Sequence, residues 1–376
     1  LGQSPKCPIG VIGWGEGGML ALYAAALDTR IDAAVVSGYF DVRHKVIWQQ
    51  PIDRIVFGLL EEFGDAELAA MVAPRSLIIE AAKTPEVETP PGGAGAPASI
   101  TTPALADVMA EGARIAGLIE GLPVGDGLGD LIVSGGGTGP YGSAETIQAM
   151  LASLAPGADL AKLGPAPKAL RDAFDPEARH ARQMHEIDRH NQWLLVESPY
   201  VREEFFSKLD TSSLEKFKET IEPYREFYAT EVIGRFDYPL SKPNVRSRKA
   251  YDELGWTGYE VVTDVFPGVI AYGILLVPKE DGPIRNRPVV VCQHGLEGRP
   301  QDVVTGDHRA YHDFAAKLAE RGFVTFAPQN LYIFKDRFRT LQRKANPIRK
   351  TLFSVIVPQH QQILNWLSSL EEVDPE

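Results

Sequence analysis

Several things are scarce in this chain of 376 residues, and each scarcity removes a class of explanation. There are only two cysteines, Cys7 and Cys292, too few for a disulfide framework or a thiolate metal site, and both lie beside or within apolar strand-like runs. They are expected to be free, buried thiols. No apolar run approaches the ~18 residues that a membrane span requires. Positive charge is in deficit, with 38 Lys and Arg against 50 Asp and Glu and a net charge of -12. That balance argues against sequence-independent nucleic-acid binding, which draws on cations facing phosphate. Histidine is sparse as well, and none occurs between His44 and His180.

What is present is globular in composition, 44% hydrophobic and 23% charged, with length enough for about two domains. The most informative stretch is Ile9 to Leu22. An apolar run, Ile9, Val11 and Ile12, enters Gly13-Trp14-Gly15-Glu16-Gly17-Gly18 and leaves through a helix-forming run from Met19 to Leu27. Strand, tight turn and helix in this order is the plan of the nucleophile elbow, G-x-S-x-G, whose small flanking residues let the chain push a nucleophile to the top of a sheet. Here the central position is Gly15. Without Oγ or Sγ such a turn keeps its shape and forms no acyl-enzyme. Glu16 is the one reactive side chain in it. A nucleotide loop is a weak alternative, because the third glycine of the dinucleotide fingerprint and the Lys-Ser or Lys-Thr of a P-loop are both missing.

Short apolar runs at Ile31–Gly38, Arg75–Ala81 and Asp130–Ser134 alternate with helical patterns, including acidic Asp53–Met71, and predict a parallel sheet with helices on its faces. The order nucleophile, acid, histidine then says where partners belong. The acid position follows the second of these runs, where Glu80 and Glu86 stand, both expected to be ordinary loop carboxylates. The histidine position follows the third, where the chain offers Thr138 in a run of glycines. Two of three places are vacant.

The turn GWGEGG, the segment SGYF (Ser37–Phe40), the run FGDAELAAMVAPRSLIIE (Phe63–Glu80) and the turn SGGGTGP resemble the dienelactone-hydrolase-type α/β-hydrolases, especially long two-domain bacterial proteins related to acetyl esterases. The resemblance implies an α/β fold of the α/β-hydrolase type with a mostly parallel sheet. It implies hydrolysis of carboxylic esters (EC 3.1.1 class) through a Ser-Asp-His set, with a small-molecule or carbohydrate ester as substrate. The family needs no cofactor or metal. The compartment stays open, with a bacterial periplasmic or secreted setting among the options, and so does the oligomeric state.

From Ser143 the pattern changes to an amphipathic helix, a Pro-rich passage and a charged helical stretch over Ala169–Glu231, interrupted at Pro176, Pro199 and Pro223. His180, His185 and His190 recur every five residues, which spreads them around a helix, and HEIDRH is one residue too long for H-E-x-x-H. Solvated or interdomain contacts explain them better than metal ligation. Later comes a hairpin pattern, Tyr259–Phe266 and Val269–Val277, then a strand, Arg287–Gln293, opening into His294-Gly295-Leu296-Glu297-Gly298. In the family pattern the amide of Leu296 would line an oxyanion hole, with His294 and Gly295 shaping the loop; a plain glycine-rich strand exit is the simpler alternative. A helix Tyr311–Arg321, a strand Phe323–Ala327 and a helix Gln359–Leu370 follow. His308 and His312, four apart on an expected helix, lack a third ligand. The basic segment Lys335–Lys350 suits a solvated helix or interface in an acidic chain better than an anionic-substrate surface.

The chain starts at Leu1 and stops just after a helical pattern, and is expected to be the interior of a longer protein. Residues 1–165 would be the C-terminal half of one hydrolase domain, 166–235 a helical linker, and 236–376 the N-terminal half of a second domain. Alternatively both halves close into one permuted domain. The chain by itself is expected to be inactive, and the competing expectation is a pseudohydrolase that binds a carbohydrate or protein ligand without turnover.

Overall fold

The computed structural model describes residues 7–89, 98–122, 128–166, 168, 170, 174–280, 282, 284–295, 297–332 and 338–374. In chain order, β1 (Gly10–Trp14) leads through the Gly15 turn into α1 (Glu16–Leu27), and β2 (Ala33–Ser37) follows. Next come α2 (Arg43–Val46) and a 3-10 turn at Ile47–Gln49, and the acidic helical pattern Asp53–Met71 is broken into short pieces: a 3-10 turn at Ile52–Arg54, α3 (Leu59–Glu62) and α4 (Asp65–Ala70). Gly58, with φ +77°, and Gly64 divide it. Then come β3 (Ser76–Ala81), a short antiparallel pair β4 (Val87–Thr89) and β5 (Ala98–Ile100), α5 (Leu105–Leu118), β6 (Leu128–Val133) and α6 (Ala144–Leu154).

β1, β2, β3 and β6 form a parallel four-stranded sheet in that order. The two-residue side-chain period sorts it into two faces. Ala34, Val36, Leu77 and Ile79 pack with Leu22 and Ala25 of α1, Ala66 and Ala69 of α4, and Val108 and Ile115 of α5. On the opposite face Val35, Ile78 and Ile132 meet Ala149 and Met150 of α6. Both faces are therefore covered, which is why β2 is an uninterrupted apolar run rather than an alternating one. β1 is an edge strand of this sheet, and Ile9 and Ile12 stay 47% and 48% exposed.

A separate compact unit covers Leu160–Val232. Its two long helices are α7 (Pro176–Phe205), with Asp175 as N-cap and Pro176 in its first turn, and α8 (Leu214–Phe227), capped by Ser213. Pro199 and Pro223 sit inside these helices instead of ending them. Phe206 stacks on Tyr224 at 4.5 Å between ring centroids, and the Asp210 amide donates to Thr220 Oγ1.

The remaining elements join the first block in one compact unit, Leu1–Asp159 with Ile233–Glu376. They are β7 (Arg246–Asp252), β8 (Trp256–Phe266), β9 (Val269–Pro278), β10 (Val289–Val291), α9 (Phe314–Ala319), β11 (Val324–Pro328), α10 (Phe338–Ala345) and α11 (Phe353–Leu367). The sheet order is β10-β11-β9-β8-β7, parallel between β10 and β11 and antiparallel elsewhere. The hairpin turns at Pro267-Gly268 as its sequence predicts. Phe326, Ile363 and Leu367 fill one face, and Ile274, Leu276 and Ala316 the other. The class is thus mixed α/β, with a parallel sheet flanked by helices.

Polar contacts bind the two blocks of this unit. Gly58 N donates to Asn346 O at 2.8 Å, Arg343 Nη1 to Gln50 O at 3.3 Å, and Arg349 pairs with Glu61 and Glu62 at 3.2 and 3.3 Å. The described part of the basic segment is accordingly an internal interface; its residues 335–337 lie outside the described residues. Ile79, 1% exposed in β3 between β2 and β6, is part of the first core. Ile79→Ala is expected to cost about 2–5 kcal/mol of stability, read from the urea midpoint.

Candidate functional site

The C-terminal ends of β1, β2, β3 and β6 converge on Gly15. This residue has φ +57° and ψ -117°, a conformation that L side chains rarely adopt. Its amide donates to Ser37 O at 2.9 Å, and its carbonyl accepts from Met19 N at 3.1 Å, opening α1. Gly13 is equally fixed, because a Cβ there would stand 1.8 Å from Gly17 O. The elbow geometry is therefore present in full, with no side chain at its apex. A Cβ added to Gly15 would meet Pro85 Cδ at 2.6 Å and Thr84 Oγ1 at 3.2 Å, so the loop after β3 occupies the space in which a nucleophile would stand.

Glu80 departs from the expectation of an ordinary loop carboxylate. It lies in β3 and is 1% exposed. Ser37 Oγ and Thr146 Oγ1 donate to it at 2.5 and 2.6 Å, and the amides of Gly142 and Ser143 at 2.7 and 2.9 Å. Burial alone pushes its carboxyl up, but these four donors outweigh burial and hold it below the usual range. The group is an anchor for β2, the loop after β6 and the start of α6, with its oxygens already engaged. Glu86 is exposed and accepts from the Thr102 hydroxyl at 2.9 Å. Thr138 is exposed, its Oγ1 donating to Gly135 O in the turn after β6, and no histidine stands in that loop. Trp14 closes the edge, donating from Nε1 to Lys83 O at 2.7 Å and stacking on Tyr141 at 4.0 Å.

Beside the elbow is a polar pocket lined by Gly38, Tyr39, Asp41, Gln50, Arg54 and Thr84, among others. Its groups went unmarked at the level of sequence, since only tertiary packing buries them. Arg54 is 6% exposed, and its Nε has no hydrogen-bond partner; Glu16 Oε2, on an exposed side chain, is 3.7 Å away. Arg43 pairs with buried Asp65 at 2.5 Å and lies over the Tyr39 ring. Asp41 accepts from Val42 N at 2.8 Å. Burial lifts its carboxyl to about 6, against the opposing pull of Arg43.

The His-Gly turn lies at the end of β10. His294 is 3% exposed, and its Nδ1 is 2.7 Å from Gly295 O, which requires the proton on Nδ1. The Gly295 amide donates to the Tyr311 hydroxyl at 2.8 Å. Leu296, the expected oxyanion donor, lies outside the described residues. His308 and His312 sit in a turn rather than on the expected helix, whose described extent is α9; His312 has φ +50° and its Nδ1 meets Asp307 Oδ1 at 3.0 Å. His180, His185 and His190 are exposed on α7. Among the described residues no three His, Cys, Asp or Glu side chains gather as a metal set, and no helix is long and apolar enough to cross a membrane. Cys292 is buried and its thiol pushed up to about 12 by desolvation, whereas Cys7, expected to be buried, is exposed.

No family model and no curated protein matches the chain. Solved structures do. One is a candidate acetyl xylan esterase from Bacteroides fragilis NCTC 9343, at 14% identity and TM-score 0.37, covering 43% of this chain and 46% of that one. Another is acetyl xylan esterase 1 from Thermoanaerobacterium sp. JW/SL YS485, at 15% identity and TM-score 0.27, covering 36% and 43%. A third is an acetyl xylan esterase from Paenibacillus sp. R4, at 17% identity and TM-score 0.27, covering 45% and 53%. The chain spans about half the length of these structures. The α/β class rests on the sheets themselves.

Two buried carboxyls give opposite expectations. Glu80→Gln keeps the shape but puts an NH2 in place of one carboxylate oxygen, facing two of the four donors, and is expected to cost about 2–4 kcal/mol, measured by chemical denaturation at pH 7. For Asp41, the unfolded chain titrates near ~3.9 and the folded chain near 6. The folded state therefore holds a proton that the unfolded state has lost, and stability falls as pH rises through that window. Asp41→Asn should melt above the unmutated protein at pH 8, with the gain vanishing by pH 4, as thermal scans at both pH values would show.

Proposed function

We propose that this chain is built on the plan of an α/β-hydrolase acting on carboxylic esters, and that its elbow at Gly15 is unreactive. The observation that carries this reading is the backbone of Gly15: the strained elbow conformation between β1 and α1 is kept, while its apex has no side chain and is roofed by Thr84 and Pro85. Ester hydrolysis through an acyl-enzyme needs a nucleophile, a base to activate it and an oxyanion donor. At this elbow the first is a hydrogen atom, and Thr138 stands where the second would be. Esterase activity of an intact protein would then reside in residues other than these, with the His294-Gly295-Leu296 turn as oxyanion loop of a second hydrolase unit.

The alternative of a pseudohydrolase, holding a carbohydrate or protein ligand without turnover, is supported for this block by the missing side chain at Gly15, but with Thr84 and Pro85 over the apex such a ligand would sit beside the elbow rather than on it. The carboxyl Glu80, placed where an acid would be sought, is committed to four structural donors and supports that reading as well.

The test is labelling of the purified chain with a fluorophosphonate probe followed by peptide mapping, alongside turnover of p-nitrophenyl acetate. No labelled serine and no turnover above buffer are expected. Gly15→Ser should stay unlabelled too, since its Cβ meets Pro85 and its φ is positive, at a stability cost of about 1–3 kcal/mol. Stoichiometric labelling of one serine in the unmutated chain would sink the proposal.

A further inference from the structure

The helix α7 runs for 30 residues, about 45 Å, and none of its residues is buried. Helices gain little from their own hydrogen bonds alone, and most of their stability in proteins comes from packing an apolar face. Here such a face is present and uncovered. Met184, Ile187, Leu194 and Val201 are between 47% and 66% exposed. With Asn191 and Ser198 they recur at alternating spacings of three and four residues, which places all six on one stripe of the helix, the a and d positions of a heptad repeat. The next position in the series is Phe205, and it packs against Tyr224 and Phe227 of α8 with ring centroids 5.2 Å apart. The end of the stripe is thus taken up by α8, and the stretch from Met184 to Val201 stays open.

The polar members of the stripe say what can cover it. Met184, Asn191 and Ser198 are a positions, and Ile187, Leu194 and Val201 are d positions. Ser198 Oγ donates to Leu195 O at 2.8 Å and accepts from Arg202 Nη1 at 3.0 Å, so its hydroxyl enters a seam with its hydrogen bonds already made. Asn191 is different. An amide at an a position is matched by an amide opposite it, which an identical helix supplies when it runs parallel and in register. An antiparallel copy would set Asn191 against Leu194 and leave the amide unmatched. The flanking positions agree in charge: Glu197, at g, would meet the partner's Arg202, at e of the following heptad, once on each side of the pair. The other such pairs, Gln183 with Asp188 and His190 with Leu195, bring no like charges together. Pro199, inside α7 without an amide hydrogen, falls at a b position, away from the seam. Trp193, Val196 and Tyr200 are exposed as well, but stand at c and f, on the outward side.

We propose that the Met184–Val201 stripe of α7 is a docking surface for the same stripe of a second copy of this chain, the two helices parallel, with Asn191 against the partner's Asn191 and Glu197 against the partner's Arg202. Burial of the four apolar side chains of each copy drives the association, and the amide pair fixes its register. The seam falls short of three heptads, so the dimer is a dissociable one. It draws on no residue of the Gly15 elbow and stands apart from the reading of that turn.

The experiment is sedimentation equilibrium of the whole chain from about 1 to about 200 µM. Expected is a reversible rise from the 41.1 kDa monomer to twice that mass. Leu194→Asp, which sets a charge in the seam, should raise the dissociation constant at least about tenfold. Trp193→Asp, on the outward side, should leave it within about twofold. Orientation is read from Met184→Cys in a Cys7→Ser background: oxidation should link the parallel pair covalently, whereas an antiparallel pair holds the two Met184 positions roughly 25 Å apart, too far for a disulfide. A mass that stays at 41.1 kDa throughout, a dimer that Leu194→Asp leaves intact or Trp193→Asp weakens equally, or absence of the cross-link would each overturn the proposal. Flotation of a monomeric chain with phosphatidylglycerol vesicles would also overturn it, assigning the stripe to a lipid surface. The mass is read first on the unmutated chain, so the outcome stands even where a variant does not fold.

Discussion

Glu80 is the point through which the first block holds its shape. One carboxylate at the end of β3 gathers the Ser37 hydroxyl of β2, two amides from the loop after β6 and the Thr146 hydroxyl of α6. A charge buried so completely is tolerated because its oxygens meet four donors with good geometry. The backbone continues the same tie: Glu80 O accepts from Gly38 N, and Ser37 O from Gly15 N. The elbow, the ends of three strands and the cap of a helix thus depend on one another. The conformation of Gly15 belongs to this network and needs no side chain to sustain it.

A turn that keeps an energetically unusual backbone while carrying glycine separates two properties that normally travel together. The strain of an elbow serves to present a nucleophile; with glycine the strain is nearly free. Thr84 and Pro85 then approach to distances that a serine would forbid. Space given up by the nucleophile is taken by the loop, and the polarity of the region moves sideways, to Asp41, Gln50, Arg54 and Thr84. Electrostatic character is retained in a place where acyl chemistry is not.

The legibility of the chain follows the range of the forces involved. Strands β2, β3, β9 and β11 were visible because each is a short apolar run with clear stops, and the hairpin turn because Pro-Gly marks it. The acidic stretch 53–71 has helical periodicity, but Gly58 and Gly64 break it into short pieces. Pro199 and Pro223 suggest interruptions, yet the helices around them continue. Glu86 and Thr138 lie exposed in loops. Glu80 is buried, because three other segments turn donors towards it, and nothing local says so. The His294 ring nitrogen meets Gly295 O, a contact that the His-Gly pattern alone does not specify.

By itself the sequence determined the parallel strand–helix rhythm, the elbow and the emptiness of its apex, since these follow from the order of apolar runs and from glycine having no side chain. Tertiary structure alone decided which charges are buried, which are paired, and which buried atoms, like Arg54 Nε, are left without a hydrogen-bond acceptor. Burial and pairing are sums over segments far apart in the chain, and no local pattern encodes them.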